Sequence, residues 1–481
     1  MALTLPCIQS TILENGIEVV TVNDPSMKAV CQVFYFARGN EPDGERGSMH
    51  FIEHVVARTA DIVHGITGKI RKICRTEAHG AWTSPTGVYF NILTMPEKVD
   101  QAFDVLSKTA FPGDLIQQAF DAEAARFRNE LDEHRISAYT RSGRFNRWRQ
   151  IQTFGISQWL QSWFGQLDKQ AVDSLNLSQL NAIYKRNFCG SNLLYLVVGE
   201  NVSHEEAKAR ARQHLSQIPR GDVAVISKQT APIPYTAVVP RLPLVKPSVE
   251  LSFPAPSKHD PKSANLLILS SILDEFDSPL AHLIMVKHGK YRHGSTLEIN
   301  QHTSFLTFQL SEPSTKIGPM FDDVLSFIKN RDQWLTRELF EEMKARVLSD
   351  RQFDALANAR QISNRVTHMA ELHKTGGDVL FEDKFSRALN DVTFDEFKAF
   401  AEGIFTSVPN YLVQKPMRIK KVALPKYEEV IKRLGITADI SHVRRPSYAA
   451  EFIGVQFGLA GQAVRNRIVR TAKRFMPRLR A

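Results

Sequence analysis

Cysteine is scarce. Cys7, Cys31, Cys74 and Cys189 are the only four in 481 residues, and no two stand as a C-x-x-C pair. That spacing excludes a thiolate zinc finger or a dithiol redox motif, and it fits a reducing compartment, so a cytoplasmic location is expected. Long hydrophobic runs are missing too: stretches such as Leu193–Val198 fall far short of the roughly 18 residues a spanning helix needs. The opening Met-Ala-Leu-Thr-Leu-Pro-Cys has no basic stretch leading into an apolar one and no Arg-rich amphipathic pattern, so no targeting segment is expected at that end.

What is present is ordinary for a folded chain of two or three domains, with 43% hydrophobic and 23% charged residues. The net charge of +10 carries less information than its placement. Pro416–Ala481 holds 15 Lys or Arg against 4 Asp or Glu, leaving 46 basic and 47 acidic residues in the first 415. The body is neutral and the tail is basic, so the charge says little about what the body does.

Strand and helix patterns alternate through the first two hundred residues. Gly16–Val22, Val30–Arg38, Val88–Met95 and Leu193–Val198 read as strands, and 48–60, 97–109, 116–135, 178–186 and 203–216 as helices. A proline-rich, aperiodic stretch at 231–247 reads as a linker. The order then restarts: a strand at Ser248–Phe253, a helix at 262–275, a strand pair at 295–311, and a largely helical 319–345. This restart suggests an internal duplication. The expected fold class is α+β, with two homologous sheet-plus-helix domains, each sheet covered by helices on one side. Expected boundaries are 1–220 for the N-terminal domain, 221–245 for the linker, 246–415 for the C-terminal domain and 416–481 for a basic extension.

The chemistry is concentrated in Gly47–Val56, GSMHFIEHVV. On a helix, His50 and His54 lie four apart and share a face, so both imidazoles can reach one ion. Glu53 is three residues from His50, close enough to touch a water on that ion. This is H-x-x-E-H, the inverted form of the commoner metalloprotease motif. A catalytic zinc needs a third protein ligand, a carboxylate or histidine brought by another element. The helix at 116–135 has an apolar stripe of Phe120, Ala124, Phe127 and Leu131, with Glu123 and Glu130 on nearly one line beside it. Carboxylates flanking an inward face call for positive charge beneath them. An ion pair between Glu123 and Arg126 is a second use for the first of them.

These residues resemble the inverzincins, the pitrilysin-type metallopeptidases that include insulin-degrading enzyme and mitochondrial processing peptidase. The resemblance starts at LENGIEVVTV, runs through GNEPDGERGSMHFIEH and EAARFRNEL, and returns at SNLLYLVVGE and the HEEAKARARQHLSQIPRG that follows. It covers about residues 10–220 well and 245–415 loosely. It implies that Glu130 is the third metal ligand beside His50 and His54, that Glu53 is the catalytic base, and that Glu123 supports a ligand from behind. It implies one Zn2+ per chain, since the second half has no such motif. The family's substrate-pairing strand, an Asn-Ala-x-Thr pattern, resembles Gly80-Ala81-Trp82-Thr83, with Gly80 at the Asn position. In the second half, Met285 falls where the family has an Arg, and Tyr291 or Arg292 where it has a Tyr.

The function so implied is zinc-dependent hydrolysis of peptide bonds in unfolded peptides, as an endopeptidase or peptide-processing enzyme. The family closes a chamber from four such halves, so a homodimer or a heterodimer with a related subunit is expected. The alternatives are a non-enzymatic scaffold or substrate-holding subunit, or a membrane- or nucleic-acid-binding protein acting through the tail. In that tail, Val464, Ile468, Ala472, Phe475 and Leu479 repeat at near-helical spacing among arginines and lysines, so 461–481 can meet an anionic membrane surface or an acidic partner.

Overall fold

The computed structural model describes residues 7–38, 48–74, 79–84, 86–139, 152, 175–223, 234–241, 246–257, 260–274, 278–289, 294–298, 304–355, 359–374, 381–416 and 422–445. The first half contains strands β1 (Cys7–Ile12), β2 (Glu18–Asn23), β3 (Val30–Phe36), β4 (His79–Thr83), β5 (Val88–Thr94) and β6 (Leu193–Gly199). Its helices are α1 (Ser48–His64), α2 (Ile66–Ile73), α3 (Val99–Ala110), α4 (Gln117–Tyr139), α5 (Leu177–Asn187) and α6 (His204–Leu215). The second half adds β7 (Thr236–Arg241), β8 (Ser248–Ala255), α7 (Ser263–Asp274), α8 (Pro279–His288), β9 (Gly294–Glu298) and β10 (Ser304–Ser311). It continues with α9 (Ser314–Lys329), α10 (Arg337–Ala355), α11 (Ala359–Lys374), α12 (Phe381–Asp391), α13 (Phe394–Thr406), β11 (Asn410–Pro416) and α14 (Tyr427–Leu434).

Two sheets organise these elements. The first runs β1-β2-β6-β3-β5-β4 and the second β7-β11-β8-β10-β9. Omitting β1, the pairings match one for one: a parallel pair (β2 with β6, β7 with β11) is followed by three antiparallel ones. The restart of elements in the sequence is therefore a repeated sheet topology, and the α+β fold class stands. The repeat opens inside the stretch read as a linker: Thr236–Arg241 is a strand, on the edge of the second sheet and paired with β11. Its hydrogen bonds come from a strand some 170 residues later, a partner local patterning does not reveal.

The first sheet is covered on both faces, where helices on one side were expected. One face presents Val19, Phe34, Phe36, Phe90 and Val197 to α1, α3 and α4. The other presents Val20, Val33, Tyr35, Leu196 and Val198 to Val366, Met369 and Ala370 of α11, a helix of the second half. This is why β3 and β6 are apolar almost without alternation, with every residue buried. The basic extension divides as well. Tyr427, Val430, Ile431 and Leu434 bury one side of α14 in the second core, so the compact structure continues to at least Arg445, while 446–481 lies outside the described residues. No helix among the described residues is long and apolar enough to cross a membrane.

Candidate metal centre

Helix α1 buries Met49, Phe51, Ile52, Val55, Val56 and Ala60 against the sheet and its neighbouring helices. That choice of face leaves His50 and His54 on the flank turned to α4. Phe127 of α4, itself fully buried, lies under both rings, its centroid 4.9 Å from that of His50 and 5.3 Å from that of His54. The apolar stripe read on α4 therefore sets the helix against α1, and Glu123 and Glu130, on either side of Phe127, come to the two histidines.

The donor atoms of these side chains lie close together. The Nε2 atoms of His50 and His54 are 3.2 Å apart, and Glu130 places Oε1 3.7 Å from the first and Oε2 3.7 Å from the second. One donor atom from each of His50, His54 and Glu130 lies within 4.8 Å of the others. Ligands held at about 2.0–2.2 Å around a tetrahedral ion stand about 3.3–3.6 Å apart. The three donors fit zinc in both chemical type and spacing. From behind, Glu123 Oε2 lies 3.3 Å from His54 Nδ1. A proton on Nδ1 donated to that carboxylate leaves the Nε2 lone pair facing His50 and Glu130. Glu123 also stands 3.9 Å from Arg126 and 4.0 Å from Arg58, so its carboxylate lies between an imidazole and two guanidiniums.

Glu53 is on the same helix but turned inward, 8% exposed. Its Oε2 accepts a hydrogen bond of 2.7 Å from Thr83 Oγ1 at the end of β4. Burial pushes its carboxyl up to about 7; the Thr83 bond opposes the rise, and the charge of Glu130 adds to it. Nothing in the sequence marks Thr83 as the partner of Glu53, thirty positions away; only the position of β4 beside α1 makes the pair. Along the same face of α1 runs a cleft of about 260 Å³, lined by Glu53, His54, Ala57, Arg58, Glu123 and Arg126.

Gly80 and Ala81 lie in β4, the edge strand among the described residues, paired there with Asn91 and Phe90 of β5. A Cβ on Gly80 would stand 3.2 Å from Asn91 Oδ1, tight but not impossible. Met285 is on α8 in the second half, while Tyr291 and Arg292 lie outside the described residues.

Comparison with known proteins agrees with this architecture. Residues 174–347 match the family described as the peptidase M16 inactive domain, a span that includes none of His50, Glu53, His54, Glu123 or Glu130. A protease from Helicobacter pylori shares the fold with a TM-score of 0.64 and 18% identity, over 86% of this chain and 100% of that one. The periplasmic protease PqqL from Escherichia coli gives a TM-score of 0.68 at 15% identity, over 92% of this chain and 52% of PqqL. An M16 inactive domain from Pseudomonas fluorescens gives 0.64 at 16% identity, over 86% and 99%. No curated protein matches the sequence. The fold is thus that of the M16 peptidases and their inactive relatives, and this chain spans about half the length of PqqL.

Proposed function

We propose that the protein is a zinc-dependent peptidase acting on unfolded peptides, with its centre at His50, Glu53, His54 and Glu130. The observation that carries this reading is the convergence of three donor atoms within 4.8 Å beside a buried carboxylate that is not one of them. His50, His54 and Glu130 would hold the ion. A zinc ion there supplies Lewis acidity, polarising a carbonyl and lowering the pKa of water towards neutrality. Glu53 takes the proton from the attacking water and hands it to the leaving amine. Thr83 occupies one of its oxygens and leaves the other to work. Glu123 holds the tautomer and angle of the His54 ring, with the guanidiniums of Arg58 and Arg126 on its other side. A peptide adding to the edge of β4, along Gly80 and Ala81, is guided by its backbone, so the missing Asn side chain at position 80 costs contacts but not the pairing.

A chain carrying two of these halves would pair with a second copy or a related subunit to enclose a peptide. The rival reading is a non-enzymatic, substrate-holding subunit. It is favoured by Gly80 and Met285 at positions where the pitrilysin-type pattern has Asn and Arg. Titrating zinc into chelator-treated chain separates the two: the peptidase reading expects one tight site per chain, lost in His50→Ala, with cleavage of a quenched peptide library restored alongside. Absence of a tight zinc site would favour the holding subunit.

A further inference from the structure

The cleft beside α1 has an unusual distribution of polar groups. Each of its carboxylates is engaged through one oxygen: Glu53 Oε2 accepts from Thr83, Glu123 Oε2 faces His54 Nδ1, and Asp61 Oδ1 accepts the backbone N–H of Thr67 at 2.8 Å. Its two guanidiniums are held more loosely. The side chains of Arg58 and Arg126 are 47% and 73% exposed, and among the described residues each pairs only with Glu123, at 4.0 and 3.9 Å, the outer limit of an ion pair. Each guanidinium carries five N–H donors in a planar fork, so one buried carboxylate shared between two of them leaves most donors open. The cleft therefore presents open donor capacity immediately beside Glu53 and His54. An acceptor with two oxygens in one plane matches it.

We propose that this cleft is a subsite for a carboxylate of the bound peptide, gripped by Arg58 and Arg126. This rests on the reading of the site as peptide-binding. The carboxylate is an Asp or Glu side chain within the peptide or the α-carboxylate at its end; the chemistry is shared and the source is an experimental question. A lysine or arginine of the peptide placed there would meet two guanidiniums and be rejected. The subsite thus selects for acidic residues, or for a chain terminus, next to the bond at the metal centre.

The test uses the full-length, zinc-loaded Glu53→Gln protein, which holds peptide without turning it over, and fluorescence anisotropy of short labelled peptides. Four sets are compared: one Glu moved along an amidated peptide, Gln in its place, Lys in its place, and the Gln peptide with a free carboxylate end. The proposal expects the internal Glu or the free end, whichever is the source, to bind about tenfold more tightly than the amidated Gln peptide. Adding Arg58→Gln and Arg126→Gln should bring the sets within about twofold of one another. Arg126→Glu should reverse the order in favour of Lys, a gain that a misfolded variant cannot produce. Equal affinity across the four sets, or a preference that survives both Gln substitutions, would overturn the subsite. Cleavage by the wild-type protein without any carboxylate preference overturns the subsite and leaves the peptidase reading standing. A carboxylate preference without cleavage in the wild type does the reverse.

Discussion

Glu53 is where this site departs most from a simple surface cluster of histidines and acids. A carboxylate 8% exposed, with one hydrogen bond from Thr83 and its carboxyl pushed up to about 7, is costly for a fold to keep. Thr83→Val removes that bond without changing the shape, leaving a buried oxygen unsatisfied; a loss of about 1–3 kcal/mol in urea denaturation is expected. Glu123→Gln is expected to leave the fold intact and weaken zinc binding about 10–100-fold, measured by competition with a chelator, because the His54 ring loses its charged anchor. At this scale the sequence was readable where the chemistry is local. The H-x-x-E-H spacing needs only one helix to bring His50, Glu53 and His54 together. Periodicity alone offered both Glu123 and Glu130, and resemblance to the inverzincins assigned Glu130 to the metal and Glu123 behind it; the fold sets Glu130 3.7 Å from both imidazoles and Glu123 3.3 Å from His54 Nδ1. The bond from Thr83 to Glu53, and the cleft beside Arg58, were invisible, because the sequence does not show β4, α1 and α4 brought into contact.

At the scale of elements, the most informative piece is α11, which crosses from the second half to lie on the first sheet. Its packing carries a row of polar ties: Thr367 accepts from Asn91 Nδ2 at 3.1 Å, Arg365 pairs with Asp24, and Glu371 accepts from Ser84 and Thr86. At its end, His373 and Lys374 both bind Glu18 of β2. Burial alone would raise the Glu18 carboxyl; the hydrogen bonds from His373 and Lys374 outweigh it and hold the group at about 2, below its ordinary 4.5. A carboxyl depressed in the folded state contributes stability above its unfolded value, lost as pH falls from about 4.5 towards 2. Glu18→Gln should therefore cost stability at pH 6 and little at pH 2.5, flattening the acid limb of a urea-midpoint profile; parallel profiles for the two proteins would show that the pair contributes nothing. The central strands and the longer helices of the first half were legible because their patterns are long and regular, as in LLYLVVG and the α4 stripe, whereas the short β1, α2 and β4 did not stand out from periodicity. The docking of α11 was not, since a helix's apolar face does not say which of two sheets it covers. The strand β7 escaped for a related reason, its partner being β11 at the far end of the second half.

For the whole molecule, the repeated topology sets a half that holds the candidate centre beside a twin with no such cluster among its described residues. The second half repeats the sheet order but offers no H-x-x-E-H, and the match to the M16 inactive domain falls largely there. If two halves make half an enclosure, sedimentation of the zinc-loaded protein should show a dimer, or a monomer that cleaves only after a related subunit is added. Residues 446–481 lie outside the described residues. Removing 461–481 should leave peptide turnover unchanged in solution while reducing sedimentation with vesicles of anionic lipid; loss of turnover would place the tail in the catalytic assembly. The duplication was readable from element order, whereas the extent of the second half was not, because α14 hides an apolar face inside a stretch that composition marks as basic.

The central claim is tested most directly by zinc content and cleavage of a quenched peptide library in wild type and Glu53→Gln, measured on the same preparations. The account predicts one zinc per chain in both, with turnover lower by about 10²–10⁴-fold in the variant. No zinc in either protein, or equal turnover in both, would contradict it.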